Sequence, residues 1–366
     1  MHTERERTGW FQNNMLNIVT IVGARPQFVK AAVLSRLFRE KHTDSVSEYI
    51  IHTGQHYDEN MSDTFFREMN IPEPSINLGV GSGTHGKMTG RMLEKIEQVL
   101  IDNSPEMVLV YGDTNSTLAG ALAASKLHIP VAHVESGLRS YNKRMPEEQN
   151  RVLTDYLSTF RFCPTDTAVK NLSLEGITDK VYKTGDIMYD AALYYSSFKR
   201  DPSFNVPKEY FLITLHRAEN TDDRARLQNI VELLNEYTEL PAVLPLHPRT
   251  KKMLNSFDLS FKDHIQVIDP VGYLDMLYLE KNCRFIVTDS GGVQKEAYFF
   301  KKPCITLREQ TEWVETVEAK ANILIGSNKI GIAEALGKLD KNNLWIEHYG
   351  DGNSAELIIK YLLAGK

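Results

Sequence analysis

Three carboxylates and a histidine in this 366-residue sequence stand where acid–base chemistry could be done. Asp113 lies in YGDTNST, Glu135 in HVESG, and Glu147, followed by Glu148, in RMPEEQNR. Asp113 and Glu135 end consecutive predicted strands, so both can reach one ligand from neighbouring positions. Acids placed on two sides of a carbon can remove a proton from one face and return one to the other. Glu147 precedes Arg151 by four residues on a predicted helix, a spacing that puts the pair on one face. Each acid alone has a plainer use: Asp113 could cap a helix beginning at Thr114, and the others could form surface ion pairs. Convergence of three acids on one strand edge favours catalysis. LHRAEN sets His216 and Arg217 at the end of another strand, where a histidine serves chemistry or phosphate contact as readily as structure.

The anion-binding candidates are of two kinds. DSGGVQKEA, Asp289 to Ala297, follows an apolar strand and opens a helix. Gly291 and Gly292 let the backbone approach an anion, Ser290 adds a hydroxyl, and the helix N-terminus presents free amides to a diphosphate. Glu296, one turn on, could accept hydrogen bonds from a ribose diol. In VGARPQFVK, Arg25 can pair bidentately with a phosphate and Lys30 can add a point charge, although a solvated basic face would explain Lys30 as well. His247 in LHPRT and Arg308 at the end of PCITLR complete the substrate-binding set. Gly81, Gly83 and Gly86 fit GxGxxG, with Asp102 further on. That match is rejected, because the fingerprint must follow a strand and its acid must end the next one. No other nicotinamide signature is present, and HTGQHYDE lacks convincing metal-ligand geometry, so no cofactor and no metal are expected.

The elements that must position these residues alternate β-branched runs with amphipathic stretches. Strands are predicted at Leu16 to Gly23, Glu48 to Gly54, Met107 to Asp113, Pro130 to Gly137, Phe160 to Thr165 and Lys180 to Asp186. After a Pro- and Ser-containing stretch from Ser196 to Tyr210 the pattern restarts, at Phe211 to Arg217, Ala242 to Pro248, Ile265 to Pro270, Arg284 to Gly291 and Pro303 to Arg308. Alternation of this kind predicts α/β architecture with parallel sheets. The expected division is a polar extension over 1–14, an N-terminal Rossmann-like domain over 15–195, a second over 196–350, and a terminal helix over 351–366 packing back on the first. Ligands of such sheets bind beyond the carboxyl ends of the strands, where nearly all the polar clusters fall, including Gln55 and His56. Two such faces opposed across a central cleft would give the GT-B architecture.

Composition excludes several classes. A hydrophobic fraction of 42% and a charged fraction of 25% are ordinary for a globular protein, and no apolar run is long enough to span a membrane. A net charge of −6 disfavours nucleic acid and anionic membranes as partners. Cys163, Cys283 and Cys304 are far apart, which reads as reduced thiols in a cytoplasmic protein. The first residues lack the apolar core of a signal peptide.

Taken together, GARPQFVK, GDTNST, HVESG, PEEQNR, LHRAEN and DSGGVQKEA resemble the ordered motifs of the non-hydrolysing UDP-N-acetylglucosamine 2-epimerases. The resemblance runs from about Leu16 to the last helix. It implies a homodimeric isomerase acting on a UDP-amino sugar to make cell-surface polysaccharide precursors. By the same match Asp113, Glu135, Glu147 and His216 are the catalytic residues. Arg25, Ser290, Gly292 and Glu296 bind UDP, with Lys30 and Arg151 in support. Ser136 and Gln27 depart from the commoner Ala and Glu. TGQHYDENMSDTFF and GSGTHGKMTGRMLE look more like the branch acting on UDP-2,3-diacetamido-2,3-dideoxyglucuronate. The reaction implied is elimination of UDP to a 2-acetamidoglucal and its re-addition, because the proton on carbon 2 is not acidic enough for direct removal. The rival readings are a GT-B glycosyltransferase, which needs an acceptor, and a nucleotide-sugar-binding protein without chemistry.

Overall fold

The computed structural model describes residues 15–55, 69, 71–198, 202, 204–326, 330–339 and 347–365. The chain divides into two compact units, Met1–Gly137 with Asn142–Ile187 and Asn353–Lys366, and Leu138–Tyr141 with Met188–Gly352.

The first unit is built on β1 (Leu16–Val22), β2 (Val46–His52), β3 (Ile76–Asn77), β4 (Met107–Tyr111), β5 (Val131–Val134), β6 (Phe160–Cys163) and β7 (Val181–Lys183). Their order is β3-β2-β1-β4-β5-β6-β7, and every neighbouring pair is parallel. The central strands are apolar on both faces because helices cover both, which is why MVLVY is buried throughout. The helix His85–Asn103 brings Met92, Ile96 and Leu100 to the core, and the small residues of Asn115–Lys126 let that helix lie close to the sheet. The last helix, Ser354–Ala364, belongs to this unit: Lys41 Nζ lies 2.6 Å from Glu356, and the Tyr361 and Tyr182 rings stack at 4.0 Å.

The second unit repeats the plan with β8 (Phe211–Thr214), β9 (Ala242–Pro245), β10 (Ile265–Ile268), β11 (Ile286–Thr288), β12 (Cys304–Thr306) and β13 (Asn322–Leu324). The order is β10-β9-β8-β11-β12-β13, again parallel. Phe211 and Phe285 stack at 4.8 Å within a core that includes Leu227, Leu234 and Leu244. Both sheets therefore carry the Rossmann order, with the direction of winding reversing between β1 and β4 and between β8 and β11. These are the two Rossmann-like domains expected.

The structure shifts the expected domain junction from residue 195 to residue 187. The helix Ile187–Ser196 joins the second unit because its apolar face finds partners there: Tyr189 stacks on Phe299 at 4.8 Å, and Tyr195 meets Tyr273 edge-on at 6.3 Å. β3 and β13, two and three residues long, lie outside the predicted strands. No described helix is long and apolar enough to cross a membrane.

Candidate active site

Both winding reversals carry the polar residues singled out from the sequence. In the first unit β1 leads through Gly23 and Ala24 into the helix Arg25–Lys41, and β4 leads through Gly112 to Asp113. One buried side chain locks these two turns together. Gln27 Oε1 accepts from the amides of Gly23 and Ala24 at 2.8 and 3.0 Å, while its Nε2 donates to the Tyr111 carbonyl at 2.8 Å and to Thr117 Oγ1 at 2.9 Å. An ionised glutamate could not donate to Tyr111, so the departure at Gln27 has a structural use. Arg25 is the first residue of its helix; its side chain lies outside the described set, as does His56.

Asp113 does not cap the following helix. That role falls to Thr114, whose hydroxyl accepts from the Thr117 amide at 3.3 Å. The Asp113 carboxylate instead accepts a hydrogen bond from Arg151, and its carbonyl accepts from Asn150 Nδ2 at 2.9 Å. The protein packed around Asp113 pushes its carboxyl above the usual range; Arg151 and Lys30 oppose the rise, and Glu135 adds to it. The expected pairing of Glu147 with Arg151 is replaced by one with Glu148, at 3.3 Å and three residues away, both side chains almost fully buried. On the helix Pro146–Leu157 the i,i+3 neighbour faces inward with Arg151, while Glu147 stays exposed in the first turn. Arg151 thus bridges two carboxylates.

Glu135 follows β5 with φ of 72°, the left-handed region that side-chain-bearing residues rarely enter and that concentrates at functional sites. Its carboxylate accepts from Lys30 Nζ, both side chains being 9% exposed. Lys30 is therefore engaged with an acid here rather than standing as a solvated surface charge. Asp113 and Glu135 leave hydrogen-bonded neighbouring strands, and each holds a cation.

In the second unit the organising group is Asp289, fully buried after β11. It accepts from the backbone amides of His216 at 3.1 Å and Arg217 at 2.9 Å and from Asn220 Nδ2 at 3.1 Å. His216 Nδ1 lies 3.2 Å from Asp289 Oδ1. A carboxylate in that place fixes the ring with Nδ1–H inward and Nε2 outward, and the side chain is 40% exposed. His247 lies with its ring 5.7 Å from that of His216, and its Nδ1 accepts from the Arg249 amide at 3.2 Å, capping the helix Pro248–Phe257.

Ser290 caps the helix Gly291–Phe299, its hydroxyl accepting from the Val293 amide at 3.5 Å. A side chain at Gly291 would meet Glu312, which also pairs with Arg308 at 3.2 Å. At Gly292 an added Cβ would find nothing nearer than Glu296 Oε2 and Ser290 Oγ at 3.9 Å, so packing alone does not require glycine there. Glu296 is buried, and beside it lies Glu280, fully buried. Burial, and then the Glu296 carboxylate, push Glu280 well above the usual carboxyl range, while the Tyr273 hydroxyl beside them is pushed up by burial first.

Gln27, His133, Glu148, Asp155, Glu280 and Asp289 were not assigned roles from the sequence. Gln27, His133, Glu148 and Asp289 sat within the quoted motifs, whereas Asp155 and Glu280 did not. The three cysteines are buried and form no disulfide, and no group of His, Cys, Asp and Glu suited to a metal occurs among the described residues.

Comparison with known proteins places the chain. A family model described as UDP-N-acetylglucosamine 2-epimerase matches residues 39–363. UDP-2,3-diacetamido-2,3-dideoxy-D-glucuronate 2-epimerase of Pseudomonas aeruginosa is 52% identical over 95% of this chain and 99% of its own. The crystal structure of UDP-GlcNAc 2-epimerase from Methanocaldococcus jannaschii in complex with UDP-GlcNAc and UDP superposes with a TM-score of 0.83 at 46% identity, over 96% of this chain and 100% of that one. That of the Neisseria meningitidis enzyme bound to UDP-GlcNAc gives 0.84 at 31%, over 95% and 100%. The chain belongs to the UDP-N-acetylglucosamine 2-epimerase family and is an isomerase.

Proposed function

We propose that this enzyme interconverts UDP-GlcNAc and UDP-ManNAc, or a close UDP-2-acetamido sugar, by eliminating UDP and adding it back. The observation that carries the reading is the pair of acids at the ends of adjacent strands, Asp113 and Glu135, braced by Arg151 and Lys30. Departure of UDP from carbon 1 builds positive charge there and assists loss of the carbon 2 proton, leaving a 2-acetamidoglucal. A proton delivered to the other face and return of UDP complete the inversion. Two faces require two acid–base groups, for which Glu135 and Glu147 are proposed, with Asp113 in support. Arg25, Ser290, Gly291, Gly292, Arg308 and His247 are the proposed contacts for the nucleotide, and Glu296 for the ribose. His216 stabilises charge on the departing diphosphate, the electrostatic contribution that usually dominates such catalysis. Its orientation by Asp289 supports that role.

A second substrate reading is favoured by the 52% identity to the Pseudomonas enzyme: UDP-2,3-diacetamido-2,3-dideoxyglucuronate in place of UDP-GlcNAc. Incubating pure protein with each sugar nucleotide, without acceptor, tests both. Carbon 2 inversion of either one supports epimerisation and names the substrate. Turnover only after an acceptor is added would instead indicate a glycosyltransferase, and saturable binding alone a non-catalytic protein.

A further inference from the structure

Behind the two acid-bearing turns lies a buried polar cluster made of His133, Ser136 and Asp155, each fully buried. Asp155 projects from the helix Pro146–Leu157 and accepts from three sides. The Ser136 hydroxyl donates to Oδ1, the Gly137 amide donates to Oδ2 at 3.1 Å, and His133 Nδ1 lies 2.7 Å from Oδ1 and 3.0 Å from the Ser136 oxygen, whose one hydrogen is spent on Asp155. The other ring nitrogen, Nε2, lies 2.7 Å from the Gly112 carbonyl oxygen.

A carbonyl oxygen can only accept, so Nε2 carries a hydrogen. Oδ1 already accepts from Ser136 and Oδ2 from Gly137, which is the pattern of an ionised carboxylate, so the hydrogen between Asp155 and His133 belongs to Nδ1. The ring is a donor on both sides, and its pair with Asp155 is charge-assisted.

This arrangement meets both catalytic turns. Glu135 is flanked by His133 before it and by Ser136 and Gly137 after it, and all three close on one carboxylate. Gly137 must be glycine: its φ is 82°, and a Cβ would stand 2.4 Å from the Ala168 carbonyl. On the other side, the bond to Gly112 grips the residue that precedes Asp113.

We propose that His133, protonated on both ring nitrogens and held by Asp155 and Ser136, is a positioning residue that fixes the Glu135 turn against the Gly112–Asp113 turn. The proposal rests on the acid–base roles given above for Glu135 and Asp113. Ser136, at the position where the commoner residue is alanine, supplies the third arm of the clamp.

Nitrogen-resolved NMR of the His133 ring in the intact enzyme reads the assignment without reference to activity. Two proton-bearing nitrogens are expected, and one bare nitrogen overturns it. Kinetics then test the role. Losing a partner that orients a catalytic group typically costs about 10- to 100-fold, so Ser136→Ala should fall toward the lower figure and Asp155→Asn toward the upper in kcat. The Michaelis constant and the dissociation constant for UDP should stay near the wild-type values. A merely structural role would lower thermal stability and every kinetic parameter together. If Asp155→Asn does not fold, Ser136→Ala and the wild-type ring still decide. Wild-type turnover in Ser136→Ala, with an active wild-type enzyme, sinks the clamp. A wild-type enzyme that does not epimerise either sugar sinks the acid–base reading and the positioning role with it.

Discussion

Lys30 Nζ donates to Glu135 Oε2, and each side chain is only 9% exposed. An ammonium set on this carboxylate aims the acid and ties the first helix to the turn after β5. Replacing Lys30 by Met leaves Glu135 without that cation in a site shielded from water. Breaking a buried pair on one side is expected to lower stability by up to about 3 kcal/mol. Turnover should fall as well. Chemical denaturation and steady-state kinetics of the variant check both effects, and unchanged stability would mean that Glu135 finds solvent or another partner.

Glu147 and Glu148 are adjacent in sequence but differ in what they can do. Glu147 is exposed, whereas Glu148 is buried against Arg151. Glu147→Gln should leave the unfolding midpoint nearly unchanged while lowering kcat by about 100- to 10,000-fold, as expected for loss of an acid–base group. Glu148→Gln should lower stability first and affect turnover through Arg151 and Asp113. Thermal melts beside kinetics separate the two. A Glu147 variant with wild-type turnover would pass the second acid–base role to another residue.

Glu280 gives a prediction in pH. Its folded-state pKa is raised by burial and by Glu296, so the folded protein keeps a proton that the unfolded chain releases near the ordinary value of 4.5. Above that pH the unfolded state binds fewer protons, and stability falls as pH rises toward the folded pKa. Glu280→Gln cannot titrate. Its melting temperature should match that of the wild type in acid and exceed it increasingly at neutral and alkaline pH. A constant difference across the range would show that Glu280 is ionised in the fold.

The architecture was legible because a fully buried parallel sheet leaves continuous β-branched runs, and eleven such runs marked strands that are present. The candidate site could be singled out because Asp113, Glu135 and the glycine-rich loop stand at the carboxyl ends of those runs. What the sequence hid was pairing. A helical period puts both Glu147 and Glu148 within reach of Arg151, and only the direction of the core decides that Glu148 turns inward. Asp155 is distant from HVESG in sequence, so its grip on His133, Ser136 and Gly137 has no local signature. Glu280 reads as an ordinary charged helix residue until burial is known. The junction at 187 rather than 195 depended likewise on where the aromatic face of a helix found partners.

Elimination requires carbon 2 to lose its proton as UDP leaves. Epimerisation in deuterium oxide tests it directly, by mass spectrometry of the product. Elimination replaces the original hydrogen on carbon 2 with solvent deuterium at each inversion and leaves carbon 3 untouched. The expected product carries one deuteron, at carbon 2, and a Glu135→Gln or Glu147→Gln variant, with re-protonation impaired, should release free UDP and 2-acetamidoglucal. Inverted product with no deuterium at carbon 2 would contradict elimination and the acid–base roles assigned to these residues.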